Sequence, residues 1–200
     1  MIEKKILSLA ASITKSIIIY LFLLQSNLYA TEKKYERNEK GILSLMYHRF
    51  EENKYPSTNI KMNIFKQHID IIKKNNLEFF DPKDFEKKFY EVKINKRILI
   101  TIDDAFSSFY KNAWPYLREN KIPFILFAST ETIGNKGYMN IDELKEVESY
   151  SFAYLGNHSH SHEYMIEFNF EKFKDDIDKS IDIFNDLFNH NPIFFSYPFG

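Results

Sequence analysis

The sequence predicts an α/β fold built on a parallel β-sheet, and two observations support this class. Short apolar segments of strand length alternate along the chain with amphipathic segments of helix length. The short segments are apolar throughout, so we expect both faces of the sheet to be covered. A closed barrel and an open sheet with helices on both faces both satisfy this pattern. In either architecture, functional side chains gather where the parallel strands end.

The composition excludes some classes of protein and limits the residues that a metal site can use. The chain has 200 residues, of which 44% are hydrophobic and 28% are charged. These fractions suit a folded domain and argue against disorder. The formal net charge is −1 and there is no basic stripe, so nucleic-acid binding is excluded as a class. Because the chain has no cysteine, it has no disulfide, and any metal site must use His, Asp and Glu.

The amino-terminal segment has the order of a secretory signal peptide. A short charged start precedes an apolar run at 16–24, and a small residue, Ala30, precedes a polar stretch. We expect a signal peptide at 1–30, a linker at 31–40, and export to the periplasm or the cell exterior. The apolar run is short for a membrane span, so no stable span is expected after cleavage. An uncleaved anchor is the alternative, because Lys15 lies late and Leu28 is bulky for a cleavage site.

The remaining segment, 41–200, is predicted to form the folded domain. Apolar runs predict strands, and their ranges are 41–48, 97–104, 122–129, 151–157 and 192–200. Apolar residues at helical spacing predict helices, and their ranges are 63–75, 81–90, 107–120, 140–148 and 169–189.

Particular side chains allow finer predictions about these helices. Pro115 is expected to kink the third helix or to mark its boundary. Asn140 and Glu143 are spaced to cap the start of the fourth. His68 is expected to pack on or beside the apolar face of the first helix, and not to bind a metal. One apolar stripe of the last helix is expected to face the core, formed by Phe170, Phe173, Ile177, Ile181, Phe184 and Phe188.

Polar clusters follow the predicted strands at the edge where a parallel sheet builds its site. Asp103 and Asp104 are adjacent, so strand alternation would let one bind metal while the other accepts a proton. His158 and His162 are four residues apart and can face one cation, whereas His158 with His160 forms a competing pair. There are simpler explanations than a metal site. The aspartates could cap the helix that follows them, and the histidines could lie in a solvated loop.

The ordered set of segments TIDDA, HSHSH and SYPFG resembles the motifs of polysaccharide deacetylases, also called the NodB-homology or carbohydrate esterase 4 domain. The segment LMYHRF resembles the opening of members that act on poly-N-acetylglucosamine. The resemblance covers about 41–200. It implies an irregular (β/α) barrel and a metal-dependent hydrolase that removes acetyl groups from an N-acetylated polysaccharide, such as poly-N-acetylglucosamine, peptidoglycan or a chitin-like polymer.

The resemblance also implies a role for each matching residue. Asp103 would be the general base, and the backbone N–H of Phe199 would help to hold the oxyanion. The ligands of a divalent metal, with Zn²⁺ as the expected ion, would be Asp104, His158 and His162. The substrate would be lined by His48, Tyr197 and Pro198.

The sequence departs from the family pattern at three places. Ala105 replaces a glycine, and Ser196 stands where the family usually has an arginine that orients the catalytic aspartate. The later motifs, which supply an acetyl pocket and a histidine general acid, are expected beyond Gly200, so the domain is expected to lack its carboxy-terminal part. These departures support an alternative: a catalytically impaired carbohydrate-binding protein that retains the fold. A different metallohydrolase that uses His158 and His160 is a third hypothesis.

Overall fold

The computed structural model describes residues 41–85, 87 and 96–200, and its strands and helices alternate as predicted. The strands are β1 (Ile42–Tyr47), β2 (Arg49–Phe50), β3 (Asn59–Ile60), β4 (Glu78–Phe79), β5 (Arg97–Ile102), β6 (Phe124–Ala128) and β7 (Ala153–Asn157). The α-helices are α1 (Met62–Lys74), α2 (Trp114–Asn120), α3 (Ile141–Glu148) and α4 (Phe170–Phe188). The predicted signal peptide at 1–30 and the linker at 31–40 lie outside the described residues.

The main sheet is parallel, which confirms the predicted class. Its strand order is β1-β5-β6-β7, and β4 pairs with the start of β5. β5 pairs with β1 over its full length, while β6 pairs with β7 from Phe124↔Ala153 to Ala128↔Asn157. Because every pairing is parallel, these strands end at one edge of the sheet. β2 and β3 form a separate parallel pair beside this sheet.

The helices cover one face of the sheet, which favours a barrel over an open sheet with helices on both faces. Buried side chains from all four described α-helices join one large cluster, for example Phe65, Trp114, Leu144 and Phe184. Alternate β5 residues such as Ile100 enter the same cluster. The opposite face carries a smaller cluster, and its buried members are Phe80, Leu99, Ile125 and Phe127. A helical outer layer around an apolar interior is the arrangement of a (β/α) barrel.

Two predictions about the starts of helices are confirmed. The Asn140 side chain accepts from the Glu143 backbone N–H, and the Glu143 side chain accepts from the Asn140 N–H, so α3 begins with a complete capping box. Pro115 lies in the first turn of α2, directly after a π-helical turn at Phe109–Ala113. A proline in a first turn costs no helical hydrogen bond, which explains why the regular helix begins there.

The last segment differs from its prediction as a strand. Of 192–200, Phe195 alone pairs with the sheet, through an isolated parallel bridge to Asn157. Backbone hydrogen bonds from Asn157 to Phe194 and from Ser196 to Asn157 dock the segment beside the end of β7. Pro192 and Pro198 lack the N–H that a longer ladder requires.

The burial of two helices and one strand also differs from expectation. In α1 the buried residues are Phe65, Ile69 and Ile72, whereas Ile71 is exposed. In α4 Phe170 is 73% exposed, while Asp176 and Ser180 are buried. β1 was expected to be buried, but Leu43 and Met46 are exposed, because β1 is an edge strand of the described sheet.

The second predicted helix, 81–90, is described only in part. A 3₁₀ turn occupies Pro82–Asp84 and is capped by the Asp81 side chain, which accepts from the Lys83 N–H. Residues 88–95 lie outside the described part of the chain. Among the described residues, no helix has the length and apolar character that crossing a membrane requires.

Candidate metal centre

The candidate site lies at the carboxyl edge of the parallel sheet, where β1, β5 and β7 end. The backbone N–H of Asp103 donates to the carbonyl oxygen of Tyr47 at 2.8 Å, so the aspartates directly follow the β1–β5 pairing. The N–H of His158 donates to the carbonyl oxygen of Ala128 and extends the β6–β7 pairing in the same way. The sheet register therefore brings the aspartate pair and the first histidine to one place.

Three side chains meet at this edge in an arrangement that could hold a metal ion. One ligand atom each from Asp104, His158 and His162 lies within 4.8 Å of the other two. Oδ1 of Asp104 is 2.7 Å from Nε2 of His162 and 3.5 Å from Nε2 of His158. Asp104 and His158 are buried, and His162 is half-buried. Among the described residues, no other group of His, Asp and Glu side chains has this geometry.

One carboxylate oxygen of each aspartate is buried without a hydrogen-bond partner. Oδ1 of Asp104 is buried without a hydrogen-bond partner, although two imidazole nitrogens lie close to it. Oδ1 of Asp103 is buried and unpartnered as well. Buried polar atoms are nearly always satisfied by a partner. Ring nitrogens and a carboxylate oxygen that converge without aligned hydrogen bonds fit a divalent cation.

The backbone turns sharply at the aspartate pair. Asp104 has φ 71° and Ala105 has φ 50°, so two consecutive residues adopt the left-handed conformation. This turn ends the strand alternation that the sequence predicted, and both carboxylates become buried on the same edge. The position where the family usually has glycine is thus one where a side chain is strained, and the small Ala105 occupies it.

Hydrogen bonds hold the ring of His158 and the backbone of His162. Nδ1 of His158 lies 2.8 Å from the carbonyl oxygen of Ser196. Because a carbonyl oxygen can only accept, Nδ1 carries the proton of the neutral ring, which leaves the Nε2 lone pair directed toward Asp104. The backbone N–H of His162 donates to Oγ of Ser159 at 3.0 Å. Ser159 therefore braces the loop.

The two aspartates have opposite pKa shifts. Burial raises the pKa of Asp103, although the charges of His158 and His48 oppose this effect. Burial also acts on Asp104, but its close contacts with His158 and His162 hold the pKa of that carboxyl well below its usual range. One carboxyl is therefore held as an anion, while the other binds a proton more readily than an exposed aspartate.

The third histidine of the cluster points elsewhere. Nδ1 of His160 lies 2.9 Å from Oγ1 of Thr130, and its Nε2 lies 3.9 Å from Oε1 of Glu131. His160 is absent from the group of convergent ligand atoms among the described residues. The competing His158–His160 pair is therefore not the arrangement that the fold builds.

The four remaining predicted residues lie around the same edge. His48 follows Tyr47 at the end of β1, and its charge acts on Asp103. Phe199 is exposed, and its ring centroid is 5.1 Å from that of His162. Pro198 is buried between Phe199 and Tyr197, and the Tyr197 side chain is 55% exposed. The Tyr197 ring packs against the rings of Phe173 and Phe195.

Sequence reasoning missed the side chains that support the histidine loop from α4. The carboxylate of Asp176 accepts hydrogen bonds from the backbone N–H groups of His160 and Ser161. Oγ of Ser180 accepts from Nδ2 of Asn157 at 2.7 Å. Asp176 and Ser180 fall at helical spacing with the buried Phe184, and that spacing was the signal that could have revealed them.

Comparisons with known proteins show the family to which the chain is similar. The family model described as polysaccharide deacetylase matches residues 91–200. A poly-β-1,6-N-acetyl-D-glucosamine N-deacetylase of Staphylococcus epidermidis is 27% identical over 207 residues, which cover 88% of this chain and 70% of that protein. The enzyme of the same name from Staphylococcus aureus is 26% identical over 148 residues, covering 64% of this chain. The match spans 51% of the length of that relative.

A solved structure supports the fold. The structure of IcaB from Ammonifex degensii has a TM-score of 0.71 and 22% sequence identity, and it covers 80% of this chain and 75% of that one. This likeness confirms the α/β barrel class.

Proposed function

The chain belongs to the polysaccharide deacetylase family, and on that premise we propose that it is a metal-dependent hydrolase that removes acetyl groups from an N-acetylated polysaccharide. One observation carries the proposal. The ligand atoms of Asp104, His158 and His162 converge within 4.8 Å, and the buried carboxylate of Asp103, whose Oδ1 has no hydrogen-bond partner, directly precedes Asp104. A metal site with an adjacent carboxylate base is an arrangement that can activate water for the hydrolysis of an amide.

The proposed cation would be held by Asp104, His158 and His162. Two imidazoles and a carboxylate, without any thiolate in the chain, suit Zn²⁺ or a similar ion. Three protein ligands leave positions for water and for substrate. The chemistry that such an ion supplies when bound is Lewis acidity toward water and toward the acetyl carbonyl oxygen. The hydrogen bond from Nδ1 of His158 to Ser196 would keep the ligating nitrogen in place.

The proposed base is Asp103. It takes a proton from the water that attacks the acetyl carbon, while a new C–O bond forms. Burial raises the pKa of Asp103, which improves a carboxylate as a proton acceptor. The backbone N–H of Phe199 then donates to the oxygen that gains negative charge. Collapse of the tetrahedral intermediate breaks the C–N bond and releases acetate.

The leaving nitrogen needs a proton, and Asp103 carries the one that it has taken from water, so we propose Asp103 as the donor. His48 follows Tyr47 in the chain, and Asp103 follows Ile102, the partner of Tyr47 in the β1–β5 register. The two residues therefore occupy matching positions at neighbouring strand ends, and we propose that His48 lines the substrate there.

The proposed substrate is a polymer of N-acetylglucosamine. Relatives from two staphylococcal species carry the name poly-β-1,6-N-acetyl-D-glucosamine N-deacetylase. The exposed ring of Phe199 lies beside His162 and offers a flat apolar surface for a sugar ring. The domain limits proposed from the sequence place the catalytic domain at 41–200, after a signal peptide at 1–30 and a linker at 31–40. A polysaccharide substrate outside the cytoplasm agrees with that export signal.

Acetate release from N-acetylglucosamine oligomers tests the proposal. The purified protein, stripped of metal and then supplied with Zn²⁺, is expected to release acetate, and the stripped protein is not. Replacing Asp103 with Asn is expected to lower the rate by about 10²- to 10⁴-fold while Zn²⁺ binding is retained, because only the base is lost. Zn²⁺ binding without acetate release by the unaltered protein would support the alternative, a carbohydrate-binding protein that retains the fold.

A further inference from the structure

A buried carboxylate on α4 holds the loop that carries the histidines. Oδ1 of Asp176 lies 2.8 Å from the backbone nitrogen of His160, and Oδ2 lies 3.0 Å from that of Ser161. Asp176 is 9% exposed, so both bonds form in a place that water barely reaches. Each carboxylate oxygen serves one of two consecutive N–H groups. Such charge-assisted bonds are stronger than those between neutral groups.

The loop has a conformation that needs this support. Ser159 has φ 68° and His162 has φ 55°, so two of its non-glycine residues are left-handed. Such residues persist where their surroundings hold them, because each costs free energy. The hydrogen bond from the His162 N–H to Ser159 closes the loop on itself, while Asp176 ties its middle to α4.

A second contact from the same helix holds the other side of His158. Ser180 lies one turn after Asp176 and is fully buried. Its Oγ accepts from Nδ2 of Asn157 and donates to the carbonyl oxygen of Ile177. Thus α4 fixes the residue before His158 and the residues between the two histidines. A rigid helix, and not the loop itself, sets the distance between the two rings.

We propose that Asp176 is a positioning residue that sets the metal affinity of the site. This inference rests on the proposed metal-dependent function. Asp176 touches neither ring, and it acts by holding the loop so that His158 and His162 both face Asp104 before a cation arrives. A preorganised ligand set binds more tightly, because no ordering of the loop is needed upon binding. Replacing a residue that holds the metal ligands, but does not touch the metal, commonly changes the affinity for the metal by about 10- to 100-fold.

Asp176→Asn is the informative variant, and Asp182→Asn is its matched control. An amide retains one acceptor oxygen but turns an NH₂ group toward the second backbone N–H, so one of the two bonds is lost. Asp182 lies on the same helix and is exposed, so its replacement makes the same change in charge at a remote place. The dissociation constant for Zn²⁺ is measured by competition with a chromogenic chelator.

Asp176→Asn is expected to bind Zn²⁺ about 10- to 100-fold more weakly than the unaltered protein. Asp182→Asn is expected to bind with unaltered affinity, and Asp176→Glu, which keeps both acceptor oxygens, is expected to recover part of the loss. The absorption spectrum of the Co²⁺-loaded protein adds a readout of ligand geometry, and it should change in Asp176→Asn alone. Unaltered affinity and an unaltered spectrum in Asp176→Asn would overturn the inference.

Hydrogen exchange in the unaltered, metal-free protein tests the same point without a substitution. The amides of His160 and Ser161 are expected to exchange slowly, because Asp176 holds them in the absence of metal. Fast exchange at both amides would overturn the inference even if Asp176→Asn failed to fold. Failure of the unaltered protein to bind Zn²⁺ would refute the proposed metal-dependent function. The exchange rates would still show whether Asp176 protects the amides of the loop.

Discussion

Replacing Gly156 with Ala tests the packing that connects the barrel interior to the site. Gly156 lies in β7 opposite Phe127 of β6. A Cβ at Gly156 would lie 2.4 Å from both Cδ1 and Cε1 of Phe127 and 3.2 Å from Cγ2 of Ile125. Carbon atoms in contact prefer separations of about 3.5–4.0 Å, so the ring would have to withdraw by about 1 Å or more. Phe127 is buried, and its ring centroid is 6.3 Å from that of His158.

The cost follows from overpacking. Extra carbon atoms in a packed interior typically lower the free energy of unfolding by about 1–3 kcal/mol. For a chain of this size, each kcal/mol corresponds to a fall in Tm of about 2–4 °C. Phe127→Leu removes the ring atoms that clash, so the double variant is expected to be more stable than the sum of the two single effects.

Urea unfolding provides the measurement. Trp114 is the one tryptophan of the chain and is buried in the main core, so its fluorescence reports the transition. Gly156→Ala, Phe127→Leu and the double variant are compared with the unaltered protein, all without metal. A Gly156→Ala protein with an unaltered midpoint, or strictly additive effects in the double variant, would refute the argument from close approach.

Three further substitutions have expected outcomes. His160→Ala should retain Zn²⁺ binding, because its ring contacts Thr130 and lies outside the ligand group; lost binding, measured by chelator competition, would favour the His158–His160 pair. Asn140→Ala should lower the free energy of unfolding by about 1 kcal/mol by removing the capping box, and a urea midpoint equal to that of the unaltered protein would contradict this. A hydrogen bond to the carbonyl oxygen of Asn191, opposed by burial and assisted by Glu148, raises the pKa of His190. The folded state therefore binds this proton more tightly than the unfolded state. The contribution of His190 to the free energy of unfolding is thus complete below the unfolded pKa of about 6.5, and it is lost as pH rises through the folded pKa. The stability advantage of the unaltered protein over His190→Asn, measured by urea unfolding across that range, should shrink with rising pH, and a constant difference would contradict it.

The location of the site could be predicted from the sequence because the sheet is parallel. Apolar runs identified β5 and β7, and parallel strands end at one edge. The polar residues that follow those runs, Asp104 and His158, therefore lie at the same edge, where only β6 separates their strands. No knowledge of side-chain geometry was needed for this step, since topology alone brings the strand ends together.

The details of the site depended on features that periodicity does not carry. Strand alternation predicted opposite directions for Asp103 and Asp104, but left-handed φ values at Asp104 and Ala105 turn the chain there. The helical spacing of Asp176 with Phe184 could indicate that Asp176 is buried, but it could not identify its partners, which are backbone groups of the histidine loop. Such contacts become visible only when the tertiary structure is known.

The segment 192–200 shows a further limit of local patterns. Its residues have high strand propensity, yet propensity measures fit to a pleated, half-buried surface and not an intrinsic backbone preference. At the end of β7 the segment finds one bridge partner, Asn157, and then departs. The segment contributes to the site through the backbone oxygen of Ser196 and the ring of Phe199, and it does not form a further strand.

The contact between His158 and Ser196 has a consequence for how the chain matures. These residues are 38 positions apart, and α4 lies between them. A nascent chain that has emerged only as far as the histidines cannot yet set the tautomer of the first ring. The acceptor that fixes the tautomer of His158 becomes available only after α4 and the segment that follows it have been synthesised. The orientation of this ring is therefore a property of the tertiary structure and not of the histidine segment alone.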